Sequence, residues 1–290
     1  MSSKHRTERL PEDAHRLTGD TYVVPGLTNS GYIHGLMIDT GPEFGTHSGV
    51  DVDTLVITHG HADHFACAAD VRDRGAKVYA SRDDASLVEN PEVNIRGMFS
   101  WAKPSDELVT KLFKGMPCEV DALVETLDDE RVTVVPLPGH TLGHTGYLTA
   151  DGVIFTGDTL YLEALWAKHR LPYTIDPSLV VKSLDLIARM DFEWLVPGHG
   201  RAVEHDEALK NIDFHLGQLR EIEDLLVDRL KTEHTTEEAI ALVSAARGLG
   251  DNAAQYWLAV TTVKGFLGSL MEQERMEFFV RGHAGWWKTV

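Results

Sequence analysis

Short apolar runs alternate with polar, glycine-containing breaks along the first two thirds of this chain, and the runs are of strand length. They cover 20–25, 32–38, 54–57, 77–80, 131–136, 145–150, 153–156 and 194–196. Helical spacing is expected over 64–74, where the sequence turns alanine-rich, and over 177–190, where Leu179, Val180, Leu184, Leu186 and Ile187 share one side. After residue 204 the pattern changes. Phe214, Leu216, Leu219, Ile222, Leu225, Leu226 and Leu230 recur at steps of three and four and predict an amphipathic helix over 206–231. Thr235-Thr-Glu-Glu238 reads as a capping box that opens a second helix. A third apolar pattern, Leu258 to Leu270, leads into Met276–Val280, a turn at 281–285 and Trp286–Val290. Helix, helix, helix and hairpin in that order resemble a winged helix. The expected division is therefore a mixed α/β domain over 1–204 and a small helical, winged-helix-like domain over 205–290.

The breaks carry the chemistry. Thr58-His-Gly-His-Ala-Asp-His64 follows the apolar run Thr54–Ile57 and packs His59, His61, Asp63 and His64 into six residues. A turn leaving a buried strand can aim such side chains at one spot, and the spacing suits two cations rather than one. Further donors follow at the ends of later strand-like runs: His140 in Pro138-Gly-His-Thr-Leu-Gly-His144, Asp158 in Thr156-Gly-Asp-Thr159 and His199 in Pro197-Gly-His-Gly200. That makes five imidazoles and two carboxylates.

These motifs, from about Tyr22 to Gly200, resemble the metallo-β-lactamase superfamily of dinuclear hydrolases. The resemblance implies a four-layer αββα sandwich, with His59, His61 and His140 on a first metal, Asp63, His64 and His199 on a second, and Asp158 bridging both. Asp39, in Leu36-Met-Ile-Asp-Thr-Gly41, matches the family's buried aspartate beneath the metal loop, and His144 a histidine that supports ligands without binding metal. Two divalent ions would lower the pKa of a shared water enough to present a bridging hydroxide near neutral pH, and Asp63 would orient it. Imidazole and carboxylate donors accept Zn, Mn or Fe; zinc is the default. Asp158 is characteristic of the glyoxalase II, lactonase and nuclease branches, whereas antibiotic-hydrolysing branches usually lack it, so true β-lactamase activity is not expected. The oxygen-reducing diiron branch has a glutamate where His61 stands and a flavin domain for which this chain has no length.

The function this implies is hydrolysis of a small ester-like substrate, a thioester or lactone, with Asp63 and Asp158 as the catalytic carboxylates. The glutathione-binding basic residues of glyoxalase II have no recognisable counterpart in this tail. The alternative is a phosphodiesterase or ribonuclease using the C-terminal domain to guide a strand. Charge weighs against nucleic acid: 45 acidic residues against 27 basic give a net charge of −18, and 206–290 holds about 9 Lys and Arg against about 14 Asp and Glu. A homodimer built through the tail is a further expectation. The polar N-terminal stretch Met1–Arg9 and the lack of any membrane-length apolar run lead us to expect a cytoplasmic protein. Cys67 and Cys118 are expected to be reduced packing residues. Two segments are candidate rims of the site. Residues 90–127, with Met98, Phe99, Trp101, Leu112, Phe113 and Met116, form either a lid or an insertion packed on the body. Tyr161–Tyr173 directly follows Asp158, and Trp166, His169, Arg170 and Tyr173 are its candidate substrate contacts. Of the remaining histidines, His5, His47 and their like fit no metal spacing.

Overall fold

The computed structural model describes residues 10, 13–42, 50–109 and 113–290. His5, His47, Leu112 and the stretch 1–9 lie outside the described residues.

Seven strands form a first sheet in chain order: β1 (His15–Thr18), β2 (Thr21–Val24), β3 (Ser30–Ile33), β4 (Leu36–Ile38), β5 (Thr54–Val56), β6 (Lys77–Ala80) and β7 (Ala122–Leu123). β1 to β4 pair antiparallel and β4 to β7 parallel. A second sheet contains β8 (Val132–Pro136), β9 (Thr145–Thr149), β10 (Val153–Gly157), β11 (Trp194–Pro197) and β12 (Val203–Glu204), in the spatial order β12-β11-β10-β9-β8.

The consecutive apolar residues of these strands are explained by burial on both faces. On β4, Leu36 and Ile38 point between the sheets while Met37 points outward; β10 places Val153 and Phe155 inside and Ile154 outside; β11 places Val196 inside and Leu195 outside. The inner layer joins Val23, Ile33, Val56, Tyr147, Phe155 and Val196. The outer face of the first sheet is covered by Phe65 and by Ala68 and Val71 of α1 (Ala68–Asp73). The expected αββα sandwich is thus present. Single runs resolved into finer parts: 32–38 is two strands, because His34 and Gly35 both take positive φ (44° and 80°) and fold the run into a hairpin. The helix expected over 64–74 is confined to α1, since His61–Cys67 is held in turns by its contacts to the site.

Two short helices, α2 (Ala85–Glu89) and α3 (Glu92–Met98), start the segment between β6 and β7. After β10 come α4 (Glu163–His169) and α5 (Pro177–Ile187), the latter capped by the Asp176 carboxylate, which accepts the Leu179 N–H at 3.0 Å. The C-terminal part comprises α6 (His205–Arg229), β13 (His234–Thr235), α7 (Thr236–Arg247), α8 (Ala253–Glu272), β14 (Met276–Arg281) and β15 (Ala284–Thr289), the strands forming a small sheet ordered β13-β15-β14. The capping box at Thr235 and Glu238 forms in both directions. One apolar cluster runs without a break from Ile154 and Leu195 on the second sheet through Leu184 and Ile187 of α5 and Leu219 and Leu226 of α6 to Val243 of α7 and Val263 and Phe266 of α8. The helices of the tail therefore also form the outer layer of the second sheet. Part of the 90–127 segment packs on this tail: Ile95, Met98, Phe99 and Phe113 are buried together against Trp257 and Leu258, and the Phe99 and Trp257 ring centroids lie 4.3 Å apart.

His215 of α6 is buried in this layer, its Nδ1 accepting the Tyr161 N–H at 3.3 Å, and burial pulls its pKa down to about 3. The unfolded chain takes a proton here below its ordinary value of 6.5, whereas the folded chain stays neutral until about 3. This group therefore stabilises the fold above pH 6.5, and that contribution drains away as pH falls from 6.5 toward 3. Replacing His215 with leucine removes it, so the stability advantage of the natural chain over His215→Leu should shrink by up to about 1.4 kcal/mol per pH unit on acidification. Urea unfolding of both proteins between pH 7 and 4.5 measures this; a gap independent of pH would refute it.

Candidate metal centre

All seven donors converge at one end of the sandwich, each brought there by the end of a strand. β5 ends in the loop carrying His59, His61, Asp63 and His64, and Thr58 at its start is pinned by Asp39, whose carboxylate accepts both the Thr58 N–H and its hydroxyl at 2.7 Å. β8 leads to His140, β10 to Asp158 and β11 to His199. The glycine of the last loop is required by closeness: a Cβ on Gly198 would lie 2.2 Å from Asp158 Oδ1 and 2.8 Å from His64 Cε1.

The nitrogens of His59 (Nε2), His61 (Nδ1) and His140 (Nε2) meet, with separations of 3.0 and 2.9 Å. On the other side, His199 Nε2 lies 3.3 Å from Asp63 Oδ2 and 3.4 Å from Asp158 Oδ2, and His64 Nε2 lies 3.4 Å from Asp158 Oδ1. Asp158 Oδ2 is also 3.6 Å from His140 Nε2, so this carboxylate stands between the two groups. Both groups, and a third made of His59, His64 and Asp158, hold their donor atoms within 4.8 Å of one another.

The far side of each ring shows which nitrogen is free to bind. His140 Nδ1 donates to the Tyr173 carbonyl at 2.9 Å, His199 Nδ1 to the Leu27 carbonyl at 2.5 Å and His64 Nδ1 to Asp39 at 2.8 Å. Because the Thr58 hydroxyl donates to Asp39, it is left to accept from His59 Nδ1 at 3.1 Å. Four rings are thereby fixed with Nε2 as the nitrogen turned inward, the arrangement that outer hydrogen bonds impose on metal-ligating imidazoles. The donor set also fits cations by what it leaves unmet: His64 Nε2 and Asp158 Oδ1 are buried polar atoms without a hydrogen-bond partner, an arrangement that costs stability unless something binds them.

Charge divides the donors among themselves. Burial holds His59 and His140 well below the ordinary imidazole range, with the neighbouring imidazoles adding to it. Burial also opposes charge on His64, yet Asp39, Asp158 and Asp63 outweigh it and hold this ring well above 6.5; against the same opposition, Asp158 chiefly pushes His199 up to about 9. A cation entering the half built from Asp63, His64 and His199 must displace a proton, so its affinity there rises with pH.

His144 does not face the donors' meeting point. Its Nε2 accepts the Asp158 N–H at 3.0 Å and its ring is buried, which pulls its pKa down to about 3; it fixes the backbone from which Asp158 projects. Three positioning residues lack any local sequence motif. Asp84, 1% exposed, accepts the Gly60 N–H, the Gly143 N–H and the Thr141 hydroxyl, at 2.9, 2.9 and 2.6 Å, and so ties the His59–His61 loop to the His140 loop. Asn29 donates to the carbonyls of Pro197 and Gly200 at 2.9 and 2.7 Å and clamps the His199 loop. The Tyr161 hydroxyl donates to Asp158 Oδ2 at 2.9 Å.

Above the donors opens a cleft of about 460 Å³. His169 and Tyr173 line it, whereas the other two candidate contacts do not. Trp166 is 4% exposed and lies under Arg247 and against His215 in the tail's core. Arg170 turns away to donate to the Gly248 carbonyl at 2.7 Å, because its positive φ of 62° ends α4 there.

The family model of the metallo-beta-lactamase superfamily matches residues 23–199. The chain belongs to that superfamily. A hydroxyacylglutathione hydrolase of Shewanella loihica is 30% identical over 200 residues, 68% of this chain and 65% of the relative. One of Vibrio cholerae is 33% identical over 112 residues, 39% of this chain and 34% of the relative. The chain thus spans less than two thirds of the length of these relatives. Among solved structures, a metallo-beta-lactamase family protein from Thermus thermophilus superposes with a TM-score of 0.69 at 16% identity, over 93% of this chain and 99% of that one. The likeness in fold therefore reaches into the C-terminal part of the chain, beyond the residues that the family model matches. Among the described residues, no helix is long and apolar enough to cross a membrane.

Proposed function

We propose that this chain is a metal-dependent hydrolase of a small thioester or lactone. His59, His61 and His140 would hold one divalent cation and Asp63, His64 and His199 a second, with Asp158 shared and zinc the default metal. The observation that carries this reading is the convergence of seven buried or half-buried donors, two of their atoms unmet, at the floor of a largely apolar cleft. When bound, such cations acidify water and polarise an ester carbonyl. The chain's own groups do the positioning. Thr28 donates to Asp63 Oδ2 at 2.8 Å and holds that carboxylate toward His199, where it can orient the attacking water. Tyr161 fixes Asp158 from the cleft side, and the Tyr173 carbonyl keeps His140 in the required tautomer. The hydroxyacylglutathione hydrolase relatives favour a thioester. The cleft argues against a nucleic-acid strand, because Lys168 is its one lysine or arginine among the described residues and a phosphate backbone calls for several.

Initial rates on a thioester, a lactone and an activated phosphodiester, each with metal restored and again with chelator, test this. Cleavage of an acyl substrate that chelator abolishes is the expected outcome. Chelator-sensitive cleavage of the phosphodiester alone would replace this reading with the nuclease.

A further inference from the structure

The wall of the cleft differs in character from the protein around it. In a chain of net charge −18, the lining residues among those described include Lys168 and no other charged side chain besides the histidines and the aspartates Asp63 and Asp158 of the candidate metal centre. What replaces charge is apolar surface drawn from three separate parts of the sequence: Met98 and Phe113 of the segment between β6 and β7, Leu165 and Leu171 in and after α4, and Leu249 and Leu258 before and in α8. The first and third of these are locked together by the packing of Ile95, Met98 and Phe99 on Trp257 and Leu258. The wall is therefore preformed, and Met98 brings a flexible thioether that adapts to the shape of an apolar ligand.

From this wall we infer that the acyl part of the substrate is an extended hydrocarbon chain, lying between α3, α4 and α8 with its carbonyl carbon over the donors. The inference rests on the thioester or lactone reading above and narrows it. A small hydroxyacyl group would leave most of a 460 Å³ apolar cleft unfilled, and a multiply charged peptide carrier would find few partners in it. In the reaction, the oxygen of water bonds to the acyl carbon and the C–S bond (or the ring C–O bond) breaks; one water proton ends on the departing thiol or alcohol and the other is released to solvent as the acid ionises. A thioester gives a fatty carboxylate and a free thiol, and a lactone gives a single hydroxycarboxylate.

Binding can be read without turnover. Straight-chain carboxylates from acetate to decanoate share one head group, so their affinities for the zinc-loaded full chain, measured by calorimetry, report the wall alone. Each added methylene should tighten binding by about three- to fourfold through the middle of the series. Leu258→Trp fills the cleft and should abolish that increase while leaving acetate binding unchanged, which also shows that the variant folds. Leu165→Trp on the opposite wall provides the same readout if the first variant is unstable. Affinity that does not change with chain length overturns the inference. Acetyl, hexanoyl and decanoyl thioesters assayed in parallel separate the two readings. Chain-dependent binding with no hydrolysis of any thioester supports the acyl channel and defeats the thioesterase; hydrolysis at equal rates for all three supports the thioesterase and defeats the channel.

Discussion

Asp158→Asn should lower kcat/KM on the best acyl substrate by on the order of 10³-fold, the scale of losing a principal electrostatic contact in a preorganised site. Asp158 reaches both donor groups: Oδ1 lies 3.4 Å from His64 Nε2, and Oδ2 lies 3.4 Å from His199 Nε2 and 3.6 Å from His140 Nε2. Those imidazoles, His199 and His64 above all, hold the carboxylate well below its usual range despite burial, so it is charged at any pH of interest. Asparagine keeps the shape and still offers an oxygen to the Tyr161 hydroxyl, but it removes the charge and places an amide among nitrogens. The fold should survive, because the backbone of Asp158 stays fixed by His144 and none of the apolar layers includes this side chain. Steady-state kinetics together with metal content by elemental analysis check this, and the metal-to-protein ratio should fall with the rate. An Asp158→Asn protein that keeps its rate would remove the basis of the proposed mechanism.

The convergence of the candidate donors was legible in the sequence because they sit at strand ends, where a chain reversal concentrates them into short motifs and glycine marks the turn. The αββα layering was legible only through the resemblance that these motifs carry; the apolar runs located strands such as Leu36–Ile38 and Val153–Phe155, and the structure shows that they are unbroken because both faces are covered. Long-range geometry left no such trace. Nothing around Asp84 or Asn29 indicates that their side chains bind backbone 59 and 171 residues away, at Gly143 and Gly200. Trp166 and Arg170 were expected at the substrate because they follow Asp158 closely. α4, however, presents only one of its faces to the cleft, and helical rotation sends Leu165, Lys168 and His169 there while Trp166 faces α6. The same geometry hid the cleft's apolar character, since its wall joins residues near 98, 165 and 258 that only folding brings together.

Asp84→Ala should cost about 3–5 kcal/mol of stability. The carboxylate is buried and receives three hydrogen bonds, from Gly60, Thr141 and Gly143, at 2.6–2.9 Å. Alanine leaves all three donors unmet in a space too tight to reach water freely, and each such donor costs about 1–3 kcal/mol, with incomplete additivity. The loss is also functional, because these bonds register the His59–His61 loop against the His140 loop, and three of the seven donors lie on the two. Metal affinity should therefore weaken by roughly 10- to 100-fold, as it does when the outer partners of metal ligands are removed. Asp83→Ala is the control: its side chain is exposed one residue away, and its loss should shift stability by no more than about 0.5 kcal/mol. Thermal unfolding with and without zinc, together with a competition titration against a chromophoric chelator, separates the two effects. If the buckle acts as the distances imply, Asp84→Ala unfolds earlier in both conditions and gains less from zinc than the natural chain does. An Asp84→Ala protein indistinguishable from Asp83→Ala in both measurements would show that the loops are held in register by the sheets alone.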